Sequence, residues 1–188
     1  RIDGVLITHE HADHTLGIDD LRPFCFQMGK VPMYAQERVI KELSMRFDYI
    51  FRTHNRYPGA PSIEPVPIDK SPFKLKGFEV VPVEVNHGGL KILGYRFGSV
   101  AYLTDVKTIT IEEKEKLQNL DVLILSCIRH KAHHSHLNLQ EALALIQELN
   151  PKKTYLTHIS HLLGFHAEVE KTLPNNVFLA YDELVLEI

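Results

Sequence analysis

At 188 residues and 44% hydrophobic composition, the chain is one domain's worth of sequence with enough apolar material for a sizeable core. A formal net charge of −3, with 21 Lys and Arg against 24 Asp and Glu, argues against the basic footprint that long nucleic acid requires. No apolar run approaches a membrane span and no signal peptide leads the chain, so a soluble protein is expected; Cys25 and Cys127, isolated from each other, suggest neither a disulfide framework nor a sulfur-ligated metal and point to the cytoplasm.

The first element is a short apolar strand over 5–7, and a polar cluster stands where it ends: Thr8-His9-Glu10-His11-Ala12-Asp13-His14. Imidazoles and carboxylates packed this densely make a poor core element, because each needs a buried partner to offset its desolvation. Metal ions supply that partner. His9 and His11, two apart on extended chain, point to one face and can grip one ion. Asp13 and His14 follow after the chain turns and aim at a second point, so two ions are implied. A solvated histidine loop is the bland alternative, outweighed here by the full H-x-H-x-D-H pattern directly after an apolar strand.

Further along, 17–22 reads as a helical turn stopped before Pro23, 32–35 as a strand, and 36–47 as a helix with Val39, Ile40, Leu43 and Phe47 at helical spacing. Residues 48–72 lose all periodicity and read as an irregular segment that overhangs the site. A β-branched strand over 78–85 leads to His87, and a hairpin of 93–97 and 100–104 around Gly98-Ser99 delivers Asp105 to a strand end. A helix at 111–118, an apolar strand at 122–125, a helix at 139–149 and a strand at 154–157 then form a β-α-β run of buried parallel type, with His158 following the last strand. A helix over 161–172 and strands at 177–179 and 184–186 close the chain.

On these residues the sequence resembles the metallo-β-lactamase superfamily, whose signature is H-x-H-x-D-H at a strand end and whose later ligands have candidates here, in order, at His87, Asp105 and His158. The resemblance implies an α/β fold, the four-layered αββα sandwich, as a single domain over 1–188. Because that family places several strands before its motif and only eight residues precede it here, the chain is expected to lack the N-terminal strands. It further implies that His9, His11 and His87 hold one divalent ion, that Asp13, His14 and His158 hold the other, and that Asp105 bridges them. Two such ions share a water, lower its pKa and present hydroxide as nucleophile. Nitrogen and oxygen ligation without sulfur suits zinc first, with manganese or iron as alternatives.

Within the superfamily, flavodiiron oxidoreductases have a Glu at the place of His11 and class B β-lactamases a Cys at the place of Asp105, which disfavours both here. A second cluster, His130-Lys131-Ala132-His133-His134-Ser135-His136, reads as a solvated loop except at its last member. His136, opening a helix after an apolar strand, is similar in position to a non-ligand catalytic His of ribonuclease Z and of the cyclic phosphodiesterase of phosphonate breakdown, where it steadies the phosphate or protonates the leaving oxygen. His161 is a candidate supporting residue behind the ligands or a substrate contact, or else simply opens a helix. The expected function is hydrolysis of a small or cyclic phosphodiester, with Asp13 and His136 assigned catalytic roles. A ribonuclease Z type nuclease, a glyoxalase II type thioester hydrolase and a metal-binding module without turnover are the alternatives. No membrane partner is expected, and a homodimer is left open.

Overall fold

In the computed structural model, which describes residues 1–187, the chain forms two units, Arg1–Phe78 and Glu79–Ile188, each with its own buried apolar cluster. In the first unit, β1 (Val5–Leu6), β2 (Val31–Ala35) and β3 (Ile63–Pro67) form a parallel sheet in that order, with Val5 opposite Met33 and Met33 opposite Pro65, and a short strand β4 (Phe73–Leu75) follows in the chain. Alternation in β2 buries Val31, Met33 and Ala35 completely. The same core receives Val39 and Leu43, one turn apart on the helix Glu37–Arg46.

Two expectations need correcting in this unit. Pro23 does not stop a helix. It sits in the first turn of the helix Arg22–Met28, where its missing N–H is no loss, and the preceding residues Leu16–Leu21 form a 3₁₀ turn. Residues 48–72 are not irregular throughout: they contain the helix Asp48–Phe51 and β3. Pro65 and Pro67 obscure that strand in sequence, yet they fit it physically. Ile68 N donates to Ala35 O, so even-numbered amides face β2 and the two odd-numbered prolines lie on the free edge.

The second unit is a mixed sheet. Its strands are β5 (Phe78–His87, beginning at the unit border), β6 (Leu90–Phe97), β7 (Val100–Leu103), β8 (Val122–Ser126), β9 (Lys153–Thr157) and β10 (Val177–Leu179), in spatial order β10-β9-β8-β7-β6-β5. β5, β6 and β7 are antiparallel and β7 through β10 parallel. The central strand β8 is almost wholly apolar because helix-covered parallel strands are buried on both faces. Leu139, Ala142, Leu145, Ile146 and Leu149 turn one face of the helix Leu139–Leu149 into the same core.

That helix begins on a capping box, with Asn138 Oδ1 accepting from Glu141 N (2.8 Å) and Glu141 Oε2 accepting from Asn138 N (2.9 Å). Asn138→Ala should cost about 1 kcal/mol in urea denaturation, and an unchanged midpoint would rule out a stabilising cap. The expected helix over 161–172 is confined to His166–Val169 with a 3₁₀ turn Glu170–Thr172, since Gly164 takes φ +115° and breaks the backbone before it. The expected strand at 184–186 does not form; the chain turns at 182–183, and among the described residues no strand pairs with it. Among those residues, too, no helix is long and apolar enough to cross a membrane.

Candidate metal centre

In the first unit the extended chain of β1 runs on through Ile7, whose N–H donates to Tyr34 O (2.9 Å), and delivers His9 fully buried. His9 Nδ1 is 3.1 Å from Thr8 Oγ1, and His9 Nε2 is 3.0 Å from His11 Nδ1. His11 then caps the helical turn Ala12–Thr15 with extended dihedrals, which brings His14 round until its ring is 4.3 Å from that of His9. His14 Nε2 lies 3.3 Å from Asp13 Oδ2. Four donors therefore converge on one short turn, as their spacing requires.

The turn is pinned by two arginines that spacing alone does not reveal. Arg38 Nη1 holds both oxygens of Glu10, at 2.6 and 2.5 Å. Arg46 Nη1 donates to Glu10 O (2.6 Å) and to Thr15 Oγ1 (3.3 Å), whose hydroxyl donates to His11 O (2.9 Å). Burial pushes the Glu10 carboxyl up, but a backbone hydrogen bond and Arg38 outweigh it and hold the group below its ordinary value. Glu10 thus anchors the loop from between two ligands.

In the second unit, His87 ends β5, Asp105 follows β7 and His158 follows β9. Asp105 and His158 both adopt the left-handed region, at φ +55° and +56°, a strained conformation for non-glycine residues of the sort that collects at functional sites. Asp105 is buried, and its two oxygens face different imidazoles: Oδ1 is 3.2 Å from His158 Nε2, Oδ2 is 3.6 Å from His87 Nε2. Thr104 Oγ1 also donates to Oδ1 (2.8 Å).

The tautomer of His87 follows from its partner. Ser135 O, 2.9 Å from Nδ1, can only accept, so Nδ1 carries the proton and a neutral ring offers its Nε2 lone pair. That lone pair faces a buried carboxylate oxygen, an arrangement that a cation between them relieves. The donor set, all imidazole and carboxylate, therefore fits divalent ions. Ser135 was invisible in sequence as a functional residue, because a backbone carbonyl leaves no side-chain signal.

A Cβ built on Gly88, which has φ +61°, would come within 3.1 Å of Ser135 Cβ. Gly88→Ala should therefore lower stability by about 1 kcal/mol and also weaken metal retention by displacing the carbonyl that orients His87. Thermal melts together with elemental analysis check both effects, and a variant with wild-type metal content would remove the second.

His136 is 8% exposed and lies among these groups: its ring is 4.6 Å from His87 and 5.2 Å from His158. Asp105, His136 and His158 each place a donor atom within 4.8 Å of the others. Its Nδ1 is buried and finds no hydrogen-bond partner among the described residues. Burial pulls its protonation down to about 4, with Asp105 opposing and His87, His158 and His133 reinforcing the shift. The unfolded chain then binds more protons than the folded one between about 4 and the ordinary 6.5. In that window His136 should make the metal-free protein more stable as pH rises. Urea denaturation across the window should show a shallower pH slope for His136→Ala; equal slopes would remove the assignment.

His161 is exposed in the turn after β9, where no helix begins, and among the described residues it joins none of the donor groups. His130 and His134 are exposed and His133 half-buried.

The model of the "Beta-lactamase superfamily domain" family matches residues 1–159. A diphosphatase from the PhnP family, known from a crystal structure, is 41% identical with a TM-score of 0.90, covering 100% of this chain and 72% of that one. Human tRNase Z, short form, shares the fold at 19% identity and a TM-score of 0.68, over 100% of this chain and 80% of its own. An octanoyltransferase of Porphyromonas gingivalis is 37% identical over 185 residues, which is 97% of this chain; the chain spans 37% of the length of that relative.

Proposed function

The chain belongs to the metallo-β-lactamase superfamily of metal-dependent hydrolases, and we propose that within it the protein cleaves a small phosphodiester in the cytoplasm. The observation that carries this reading is a buried imidazole, His136, beside a carboxylate whose two oxygens face two ligand-type histidines. The similarity to a diphosphatase supports phosphorus as the centre attacked. His9, His11, Asp13 and His14 of the first unit, and His87, Asp105 and His158 of the second, are the residues that would hold divalent ions, zinc first. When bound, these supply an activated water and neutralise charge on the phosphoryl group.

The chain's own residues do the rest. Ser135 O keeps His87 in the tautomer that offers Nε2. Thr104 Oγ1 holds Asp105 by donating to Oδ1, and the two carboxylate oxygens are left facing His158 Nε2 and His87 Nε2, where they could serve divalent cations. Arg38 and Arg46 fasten the loop that carries His9 and His11. His136, pulled down to about 4, is neutral at pH 7, which suits it to donate a hydrogen bond to a phosphoryl oxygen rather than to serve as a ready acid.

The octanoyltransferase name belongs to a protein of which this chain spans 37%. Both cysteines here are buried, and burial pushes the Cys127 thiol up to about 12, which disfavours acyl transfer through a thiolate. Turnover of bis(p-nitrophenyl) phosphate, cyclic nucleotides, pre-tRNA and a thioester should be measured side by side. Metal-dependent release from the small phosphodiesters is expected; cleavage confined to the pre-tRNA or the thioester would overturn the reading.

A further inference from the structure

His133 belongs to neither ligand set, yet its ring is 4.9 Å from that of His136 and stacks at 4.4 Å on that of exposed His134. Its Nδ1 lies 3.3 Å from both Ser135 N and Ser135 Oγ. An amide N–H can only donate, so Nδ1 accepts and the proton of the neutral ring sits on Nε2. Ser135 is itself fixed, because its carbonyl takes the proton of His87 Nδ1. One residue thus orients a metal-ligand histidine on one side and leaves His133 as a preset Nε2–H donor on the other. Arg129 holds the loop in this shape by donating to Lys131 O (3.1 Å) and Ala132 O (2.8 Å).

The standing charges that bear on His133 share one sign: besides burial, the cations Arg129 and Lys107 both disfavour a further proton on it. A half-buried donor in positive surroundings, one ring away from His136, suits an anionic oxygen more than a neutral group.

We propose that His133 is a substrate-binding residue whose Nε2–H holds a second phosphoryl group next to the one attacked, so that the preferred substrates are diesters of diphosphate. This rests on the phosphodiester reading above. In the reaction, the oxygen of water bonds to one phosphorus and the P–O–P bond breaks. The bridging oxygen leaves with the other phosphoryl group, and the two protons of water end one on each monoester product. No other reactant is needed.

The test compares a dinucleoside diphosphate with bis(p-nitrophenyl) phosphate, in wild type, His133→Phe and His133→Gln. Phe should raise KM for the diphosphate about tenfold, the scale of one charge-assisted hydrogen bond, while KM for the single-phosphate ester stays within about twofold. Gln, which restores an N–H donor, should recover most of the loss. An equal change on both substrates, no change on either, or a Gln variant no better than Phe overturns the proposal. If wild type turns over neither substrate, the hydrolytic reading fails by itself, and His133 is judged by equilibrium binding of an α,β-methylene diphosphonate diester. Weaker binding by His133→Phe supports the proposal, and equal binding overturns it.

Discussion

Asp105→Asn should reduce bound metal from about two ions per chain to at most one and lower phosphodiester hydrolysis by roughly 10³-fold. Asp105 is buried, with His158 Nε2 3.2 Å from one oxygen and His87 Nε2 3.6 Å from the other. An amide supplies one neutral oxygen and one N–H₂ group, so it can bind one cation weakly but cannot bridge two. The backbone does not confound the experiment. Asp105 has φ +55°, and asparagine tolerates the left-handed region at least as readily as aspartate. Elemental analysis after reconstitution, with turnover on the same sample, is the measurement. Two ions retained with near wild-type activity would remove Asp105 from the bridging position.

His136→Ala should leave metal content unchanged while lowering kcat by roughly 10²–10³-fold, the scale of losing one aimed hydrogen-bond donor to developing charge. Because burial and the neighbouring histidines keep this imidazole neutral, it acts on the phosphoryl oxygens rather than chiefly on the leaving group. Aryl and alkyl diesters should therefore lose activity by similar factors. If only the alkyl diester suffers, His136 protonates the leaving oxygen instead. A more serious rival is coordination, since its donor atom lies within 4.8 Å of those of Asp105 and His158. Loss of metal in His136→Ala, matching that in His158→Ala, would move His136 among the ligands. Exposed His134 is the control, and its replacement by Ala should leave both readouts alone.

The ligand-type residues were legible in sequence because their signal is local. His9, His11, Asp13 and His14 are coupled by the strand period and a single turn, and the structure indeed gathers them within that turn. The helix Leu139–Leu149 and strand β8 were equally legible, since a 3.6-residue stripe with an Asn cap and an unbroken apolar run are properties of consecutive residues. β3 was not legible. Its Pro65 and Pro67 are tolerated only because the sheet order leaves their side of the strand unpaired, and strand order is a non-local fact. The last helix was overextended for the converse reason: its apolar spacing is helical, but Gly164 takes a backbone conformation that keeps the helix from beginning before it.

Spacing and residue type pointed to the four donors of one loop, and the family resemblance added His87, Asp105 and His158. Tertiary contacts decided the states of the remaining groups. The proton of His87 sits on Nδ1 because Ser135 O, 48 residues away, is there to accept it, and that of His133 sits on Nε2 because an amide N–H faces its other nitrogen. His136 is neutral because the fold buries it among other imidazoles. Tautomer and charge depend on which atoms lie within about 3 Å, and for those groups the chain's fold, not its order, sets that distance.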